Sequence, residues 1–319
     1  MSKLAGKNIL VTGGAGLVGG HLVEKLFSMG AKVFVLDIEV KTKSYFESQK
    51  LQEKAKLIIQ DVRDIAKLKE LILAENISYI FHLAAQALVP LAYEDPVQTL
   101  DTNIMGTVNV LEATRLIPSV KAVIVASSDK AYGKDCKNAT EDHALSGDHP
   151  YDVSKSAADL ICAAYFKTYG VPVTVSRFGN IFGPGDLNFD RIIPGIMKAA
   201  IKNEVLELRS DGNFKRDYVY VKDVVDGYIC LAEQIDKSKG EAFNFSSGFN
   251  YSVLDLIKKI SEVVGKNVEY KIVNNQKNEI PDQSLNFEKA EKVLGWKSKY
   301  DFNHGILETY SWYKAFFNL

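Results

Sequence analysis

A glycine-rich segment near the amino terminus, residues 8–19, constrains the fold of this chain more than any other stretch. A short apolar run comes first, four glycines follow, and apolar residues then recur at helical spacing. A strand, a glycine turn and a helix in this order predict a dinucleotide-binding site. Gly13 and Gly16 would let the backbone approach a pyrophosphate, and Gly19 would let the helix pack closely against the strand.

The N-terminus of this predicted helix would present free N–H groups and a partial positive charge to the phosphates. The spacing is Gly-x-x-Gly-x-x-Gly, and because glycine turns also serve as connectors, the motif alone leaves a purely structural role open. Asp37 ends a second predicted strand, 18 residues after Gly19. An acid there accepts hydrogen bonds from ribose hydroxyls and repels a 2′-phosphate, which favours NAD, although Lys41 and Lys43 leave NADP open.

The alternation of strand and helix patterns predicts an α/β fold, with a Rossmann doubly wound parallel sheet and a smaller C-terminal α/β lobe for substrate. We predict a Rossmann domain at 1–180, to which about 219–240 returns, and a second lobe at 181–218 and 241–319. The density of glycine and proline after Phe178 marks the boundary. Predicted strands are 9–11, 32–37, 57–60, 79–83, 122–126 and 173–177; predicted helices are 17–27, 64–74, 97–116, 151–169, 191–203, 223–234, 252–264 and 303–317.

Composition and charge disfavour several classes of protein. The formal net charge of the 319 residues is −1, which gives no electrostatic argument for binding nucleic acid or an anionic membrane. No apolar run reaches membrane-spanning length, and the N-terminus has no signal-peptide pattern. Cys136, Cys162 and Cys230 form neither a metal-binding nor a disulfide pattern, so we expect no metal site and a reducing, cytoplasmic location.

Acidic and small residues follow the third and fourth predicted strands. Asp61 and Val62 follow the third; an acid there either borders an adenine pocket or caps the next helix, and both interpretations stay open. Ala84 and Ala85 follow the fourth strand, where small residues would let the backbone lie against a cofactor. His82 falls inside the apolar run of that strand and is interpreted as a core histidine.

Polar residues end the fifth predicted strand, in the segment Ser127-Ser-Asp-Lys-Ala-Tyr-Gly133, where side chains face the ligand crevice of a parallel sheet. Tyr151 and Lys155 are four residues apart and share one face of a predicted helix. Together they predict a Ser–Tyr–Lys set. A lysine ammonium and a positive nicotinamide would lower the tyrosine pKa from about 10. Tyr151 would then take the proton of a substrate alcohol as hydride leaves for NAD⁺, and the serine would orient that alcohol.

With these motifs in place, the chain resembles the extended short-chain dehydrogenases/reductases of the nucleotide-sugar epimerase and dehydratase group. The matching segments occur in family order and span nearly the whole chain. The resemblance implies retained NAD, a C-terminal lobe for a nucleotide sugar, and a homodimer through helices near 97–116 and 152–169. The segments are Thr12-Gly-Gly-Ala-Gly-Leu-Val-Gly19, Phe81-His-Leu-Ala-Ala-Gln86, Tyr151-Asp-Val-Ser-Lys155, Arg177-Phe-Gly-Asn-Ile-Phe-Gly-Pro184, Arg216-Asp-Tyr-Val-Tyr-Val-Lys-Asp-Val224 and Leu294-Gly-Trp296.

The pair Asp129-Lys130 is similar to the CDP-glucose 4,6-dehydratases, whereas the commoner 4,6-dehydratases carry Asp-Glu and C4-epimerases carry small or apolar residues. The resemblance therefore implies C4 oxidation, elimination of water across C5 and C6, and return of hydride to C6. A C4-epimerase or 4-oxidase is the alternative, and the Tyr/Lys pair disfavours a non-catalytic NAD-binding protein. Asp129 would be the acid. Lys130 would be the base or, if protonated, would polarise the ketone or tune Asp129; a surface ion pair is the structural alternative.

The candidate site residues fall into three groups. The catalytic candidates are Ser127, Ser128, Asp129, Lys130, Tyr151 and Lys155. The cofactor-binding candidates are Gly13, Gly16, Leu17, Val18, Gly19, Asp37, Asp61, Val62, Leu83, Ala84, Ala85, Asn103, Tyr151 and Lys155. The substrate-binding candidates are Gln86, Asn180, Arg191, Arg209 and Arg216. Because arginine pairs bidentately with phosphate, Arg177 is also considered for the diphosphate. The resemblance favours Asn180 and Arg216, and surface salt bridging is the alternative for Arg191 and Arg209.

Overall fold

The structure, a computed structural model, describes residues 2–134, 136–274 and 282–318. Its strands are β1 (Asn8–Thr12), β2 (Lys32–Asp37), β3 (Lys56–Ile59), β4 (Tyr79–His82), β5 (Ala122–Ala126), β6 (Val173–Phe178), β7 (Asn180–Phe182), β8 (Leu206–Leu208), β9 (Lys215–Tyr220), β10 (Ala242–Phe245), β11 (Phe249–Ser252), β12 (Tyr270–Ile272) and β13 (Asp282–Gln283). Its helices are α1 (Leu17–Ser28), α2 (Tyr45–Ser48), α3 (Ile65–Ala74), α4 (Val89–Glu94), α5 (Pro96–Leu100), α6 (Gly106–Leu116), α7 (Pro150–Tyr169), α8 (Ile192–Lys202), α9 (Val221–Glu233), α10 (Ile235–Ser238), α11 (Val253–Val264) and α12 (Phe302–Phe316).

Seven parallel strands form the large sheet, in the order β10-β6-β5-β4-β1-β2-β3. The strand order reverses between β1 and β4, and such a switch point places a ligand crevice at the carboxyl ends of the strands. Successive residues of β1 show that both faces are covered. Ile9 packs in the cluster with α1 and α9, whereas Leu10 packs in the cluster with α3, α6 and α7. The predicted α/β class and doubly wound sheet are confirmed.

The second lobe contains β9 paired with β7, β11 and β13, and a separate pair, β8 and β12. Its core lies between this sheet and helices α8, α11 and α12. The return to the large sheet extends beyond the predicted 219–240, because β10 at 242–245 pairs in parallel with β6. The buried Asn244 interrupts the apolar pattern by which the other strands of this sheet were recognised.

The helix predicted at 97–116 is divided into α5, a wide π-helical turn (Asp101–Met105) and α6. The π-helical turn contains Asn103, which is buried. Such single turns are often found at functional sites. No helix in the described part of the chain is long and apolar enough to cross a membrane.

Candidate active site

The glycine turn lies between β1 and α1, against the end of β4. Gly13 has φ +69°, and a Cβ atom there would lie 2.7 Å from the backbone nitrogen of Ala84. A Cβ at Gly19 would lie 2.2 Å from the carbonyl oxygen of Gly13, so both positions require glycine. Helix α1 begins at Leu17, followed by Val18, and its N-cap Gly16 supplies no side-chain hydrogen bond. Its first N–H groups thus lack a side-chain cap, which fits an anion-binding turn.

Asp37 lies at the end of β2, beside this turn. Its carboxylate accepts hydrogen bonds from the backbone nitrogens of Ala15 at 2.9 Å and Ile38 at 2.8 Å. Burial raises the pKa of Asp37, and these N–H groups lower it. An uncapped helix terminus, a turn that admits only glycine and an adjacent acid at the next strand end together fit a dinucleotide.

Asp61 and Val62 follow β3 on the same edge of the sheet. Asp61 pairs with Arg63 at 2.7 Å, and this contact lowers its pKa. The cap of α3 is Asp64, whose side chain accepts a hydrogen bond from the backbone of Lys67, so Asp61 has no capping role. Val62 is buried beneath Gly106 of α6.

The end of β4 is held by a buried hydrogen-bond network. His82 contacts the hydroxyls of Thr12 at 2.8 Å and Thr107 at 3.1 Å, and burial lowers its pKa to about 3, which confirms a neutral core histidine. The backbone nitrogens of Leu83 and Ala84 then donate to Thr12. The partly exposed Leu83, Ala84 and Ala85 line the crevice edge directly after this strand.

Asn103 fixes the loop that follows. Its amide accepts from the backbone nitrogen of Gln86 at 2.7 Å and donates to the Gln86 carbonyl oxygen at 3.0 Å and to the Ser154 hydroxyl at 2.9 Å. The Gln86 side chain bonds to Leu88 and Thr99 within the same region. The side chain of Gln86 therefore supports the loop conformation, and its contact with a substrate stays a prediction.

The two candidate serines at the end of β5 point to different partners. The Ser127 hydroxyl donates to Asp159 of α7 at 2.8 Å, away from the tyrosine. The Ser128 hydroxyl donates to Asp129 at 2.9 Å, accepts from the backbone of Lys130, and hydrogen bonds with Tyr151. Ser128 is thus the serine that meets the tyrosine.

Tyr151 and Lys155 occupy one face of α7, as predicted from their spacing. The Lys155 nitrogen lies 5.8 Å from the centre of the Tyr151 ring and donates to the Ala126 carbonyl at 2.9 Å. Burial lowers the pKa of Lys155 to about 8. The pKa of Tyr151 is raised, first by burial and then by the charges of Asp129 and Asp152. In the protein alone, desolvation and the two carboxylates outweigh the Ser128 hydrogen bond and the charge of Arg191, whereas the lowered pKa expected from the sequence also involves the positive nicotinamide.

Asp129 is 3% exposed, and its Oδ2 atom has no hydrogen-bond partner among the described residues. A buried polar atom of this kind normally meets a ligand or water. Lys130 instead donates to Oε1 of Gln283 in β13, a contact that sequence reasoning missed. No sequence signal marks Gln283, since 153 residues separate it from Lys130.

The thiol of Cys136 shows that both lobes meet here. Burial raises its pKa to about 11, the Asp129 charge adds to this, and Gln283, Lys130 and Arg216 act in the opposite direction. Asp129 and Lys130 come from the large-sheet lobe, and Gln283 and Arg216 come from the second lobe. The group near Cys136 therefore combines catalytic and substrate-binding candidates.

The remaining second-lobe candidates differ in position. Asn180 and Arg191 line one cavity with Tyr218. The guanidinium of Arg191 is held by Asp186 at 2.5 Å and by the Ile181 carbonyl at 2.6 Å, and its charge lowers the pKa of Tyr151.

Two arginines are not placed as phosphate ligands. Arg177 is 4% exposed and paired with Asp159, so it is a core residue. Arg209 is half exposed and paired with Asp190 on the surface, which agrees with the surface salt bridge considered as the alternative role of this residue. The described residues contain no group of three or more potential metal ligands.

The chain is similar in sequence to proteins of one known family. Residues 10–309 match the sequence profile of the GDP-mannose 4,6-dehydratase family. The chain is 31% identical to a CDP-glucose 4,6-dehydratase of Salmonella typhimurium over 97% of this chain and 91% of that protein.

Two solved structures are also similar. A UDP-glucose 4-epimerase from Thermotoga maritima, solved with UDP-glucose, is 29% identical with a TM-score of 0.89 over 97% of this chain and 99% of that one. A dTDP-glucose 4,6-dehydratase from Streptomyces venezuelae, solved with NAD bound, is 26% identical with a TM-score of 0.87 over 97% of each chain.

Proposed function

Because the chain belongs to the GDP-mannose 4,6-dehydratase family, within the extended short-chain dehydrogenases/reductases, we propose that it is a nucleotide-diphospho-sugar 4,6-dehydratase of the CDP-glucose type. The observation that carries this proposal is Asp129, a buried carboxylate beside Ser128 and Tyr151, one oxygen of which has no partner among the described residues. Elimination of the C6 hydroxyl requires an acid at this place, whereas C4 epimerisation does not.

NAD is the cofactor, and when bound it would supply the redox chemistry of the reaction, as the acceptor of hydride from C4 and the donor of hydride to C6. The glycine turn, the uncapped start of α1 and Asp37 would hold its pyrophosphate and ribose. The turn admits no larger side chain at Gly13 or Gly19, so the backbone itself forms this part of the site.

Each proton in the reaction has a candidate partner. Tyr151 takes the C4 hydroxyl proton. The positive charge of an oxidised nicotinamide would lower the pKa of Tyr151 and so offset the rise that Asp129 and Asp152 cause. Ser128 orients that hydroxyl. Once C4 is a ketone, the C5 proton is acidic and is removed by a base, for which Lys130 is the candidate. Asp129 protonates the C6 hydroxyl, which leaves as water, and a proton returns to C5 as hydride reaches C6.

Incubation of the purified protein with CDP-, GDP-, UDP- and dTDP-hexoses, without added reductant, tests this function. Mass spectrometry should detect loss of one water from one nucleotide sugar. Asp129→Asn should abolish that loss and retain partial C4 oxidation, seen as NADH absorbance. An unchanged mass with an inverted C4 centre by NMR would contradict the dehydratase.

A C4-epimerase is the second candidate, favoured by the similarity to the Thermotoga enzyme. It would need only Ser128, Tyr151, Lys155 and NAD. In that case Asp129→Asn should change turnover little, because no leaving group is protonated.

We further infer a homodimer and a cytoplasmic location. Exposed apolar side chains project from the two adjacent helices that the resemblance assigns to the interface, among them Met105, Leu116, Val153 and Leu160. Such a surface is typical of a protein interface. Light scattering should give twice the chain mass for the native protein. Leu160→Glu should reduce the measured mass towards that of one chain. Leu73→Glu on α3 is the control, because Leu73 is about as exposed as Leu160.

A further inference from the structure

The short strand β13 carries a buried glutamine into the catalytic group from the second lobe. Gln283 is fully buried, and its backbone lies in parallel register with Arg216 of β9. The adjacent Ser284 is bonded to the other lobe: its nitrogen donates to the Cys136 carbonyl at 3.0 Å, and its carbonyl accepts from Ala139 at 2.9 Å. The backbone at Gln283 is thus held from both lobes.

The side chain of Gln283 is paired at its oxygen and only weakly paired at its nitrogen. Its Oε1 accepts from the Lys130 ammonium. Its Nε2 is buried, and the amide hydrogen bonds with the Cys136 thiol, a weak acceptor, and thereby lowers the pKa of that thiol. The carboxylate of Asp129 keeps one buried oxygen without a partner among the described residues, and a sugar hydroxyl can pair with it.

A lysine side chain has many rotamers, and proton transfer requires its nitrogen at one position relative to C5. A glutamine oxygen can fix that nitrogen without adding a charge. A carboxylate at the same place would favour the ammonium over the amine. The neutral amide therefore suits a lysine that must gain and lose a proton during each turnover.

We propose that Gln283 is a positioning residue that holds Lys130 for proton transfer at C5 during the elimination step. This inference rests on the dehydratase function proposed above. It assigns to β13 of the second lobe a role in positioning a catalytic candidate of the large-sheet lobe. Gln283 acts through Lys130, and C4 oxidation by Tyr151 does not depend on it.

Two variants of similar volume separate positioning from folding. Gln283→Met removes the acceptor, and Gln283→Glu retains it but adds a charge. Ser284→Ala is the matched control, since among the described residues its hydroxyl pairs with the Asn138 backbone, which donates to it at 2.7 Å, and not with Lys130. NADH absorbance in single turnovers reports C4 oxidation, exchange of the C5 hydrogen in D₂O reports proton transfer, and mass spectrometry reports loss of water.

For Gln283→Met we expect C5 exchange and water loss to slow about 10²-fold, with little change in KM or in NADH formation. For Gln283→Glu the pH at which C5 exchange reaches half its maximum should rise, because the new carboxylate retains the lysine proton. Ser284→Ala should retain both rates and the pH profile. Equal slowing of oxidation and elimination, together with a lower melting temperature, would indicate a structural role and overturn the proposal.

Failure of the proposed function would look different. A wild-type protein that forms NADH but releases no water from any nucleotide sugar would overturn the dehydratase function and the role of Gln283 together. A wild-type dehydratase whose C5 exchange is unaffected in Gln283→Met would overturn the role of Gln283 alone.

Discussion

Two hydrogen bonds join Arg177 to Asp159, from Nε to Oδ2 at 2.9 Å and from Nη2 to Oδ1 at 2.8 Å. Both side chains are about 4% exposed. Arg177 also donates to the Tyr132 hydroxyl at 2.6 Å, and Asp159 accepts from Ser127. The pair therefore links β6 and α7 to both ends of the segment that contains Asp129 and Lys130.

Loss of Arg177 should therefore destabilise the protein strongly. In Arg177→Met the Asp159 carboxylate stays buried without its cation, which typically costs about 3–5 kcal/mol in the free energy of unfolding. Urea denaturation measures this change. Arg209→Met is the control, because its ion pair with Asp190 is exposed and such pairs contribute about 0–1 kcal/mol. Equal losses in the two variants would contradict the structural role of Arg177.

The two serines should behave differently when replaced. Ser128→Ala removes the hydroxyl beside Tyr151, and we expect C4 oxidation to fall by about 10²-fold, as when a hydrogen bond to the reacting oxygen is lost. Ser127→Ala removes only a donor to Asp159 and should lower thermal stability more than activity. NADH formation and melting temperature, measured on the same samples, check this. A larger loss of oxidation in Ser127→Ala would reverse the assignment.

The charge of Asp152 should set part of the pH dependence of oxidation. Its carboxylate raises the pKa of Tyr151, so Asp152→Asn removes a negative charge and lowers that pKa. Because the phenolate is the base, the rising limb of kcat/KM for C4 oxidation should move to lower pH. Asp148→Asn, at a nearby exposed residue paired with Lys134, is the control and should not move it. A rising limb that stays in place or moves to higher pH would contradict Tyr151 as the titrating base, and a falling limb that moves to lower pH would show that Tyr151 acts in its protonated form.

Replacement of Gly19 should impair cofactor retention. A Cβ atom there would lie 2.2 Å from the Gly13 carbonyl, so Gly19→Ala displaces the turn. Overpacking typically costs about 1–3 kcal/mol. If this cost falls on the conformation of the turn that binds NAD, NAD binding should weaken by roughly 10- to 100-fold. Gly20→Ala is the adjacent control, since its Cβ would approach no atom closer than 3.3 Å, the distance to Cδ1 of Tyr45. NAD content after purification and titration calorimetry measure NAD binding by both variants. Equal affinities of the two variants for NAD would contradict the requirement for glycine at position 19.

Local patterns located most elements within a few residues. The strand predicted at 32–37 coincides with β2, and the helix predicted at 252–264 begins one residue before α11. Alternation and helical spacing depend on neighbouring residues, so a single sequence carries this information. The pattern was insufficient at 97–116, where Asn103 lies in a wide turn, and at β10, where a buried Asn244 is satisfied by distant partners.

Spacing within one or two elements is enough to identify the glycine turn, Asp37 at the next strand end, the Tyr151 and Lys155 pair and the polar segment after β5. Three further features follow only from the folded arrangement: Ser128 is the serine that meets Tyr151, Arg177 belongs to the core, and Gln283 reaches Lys130. Neighbouring residues at a strand end, such as Ser127 and Ser128, can face opposite sides of the sheet, and the side chains that they meet come from other elements. Distant contacts of this kind depend on how the lobes pack, which spacing along the chain does not encode.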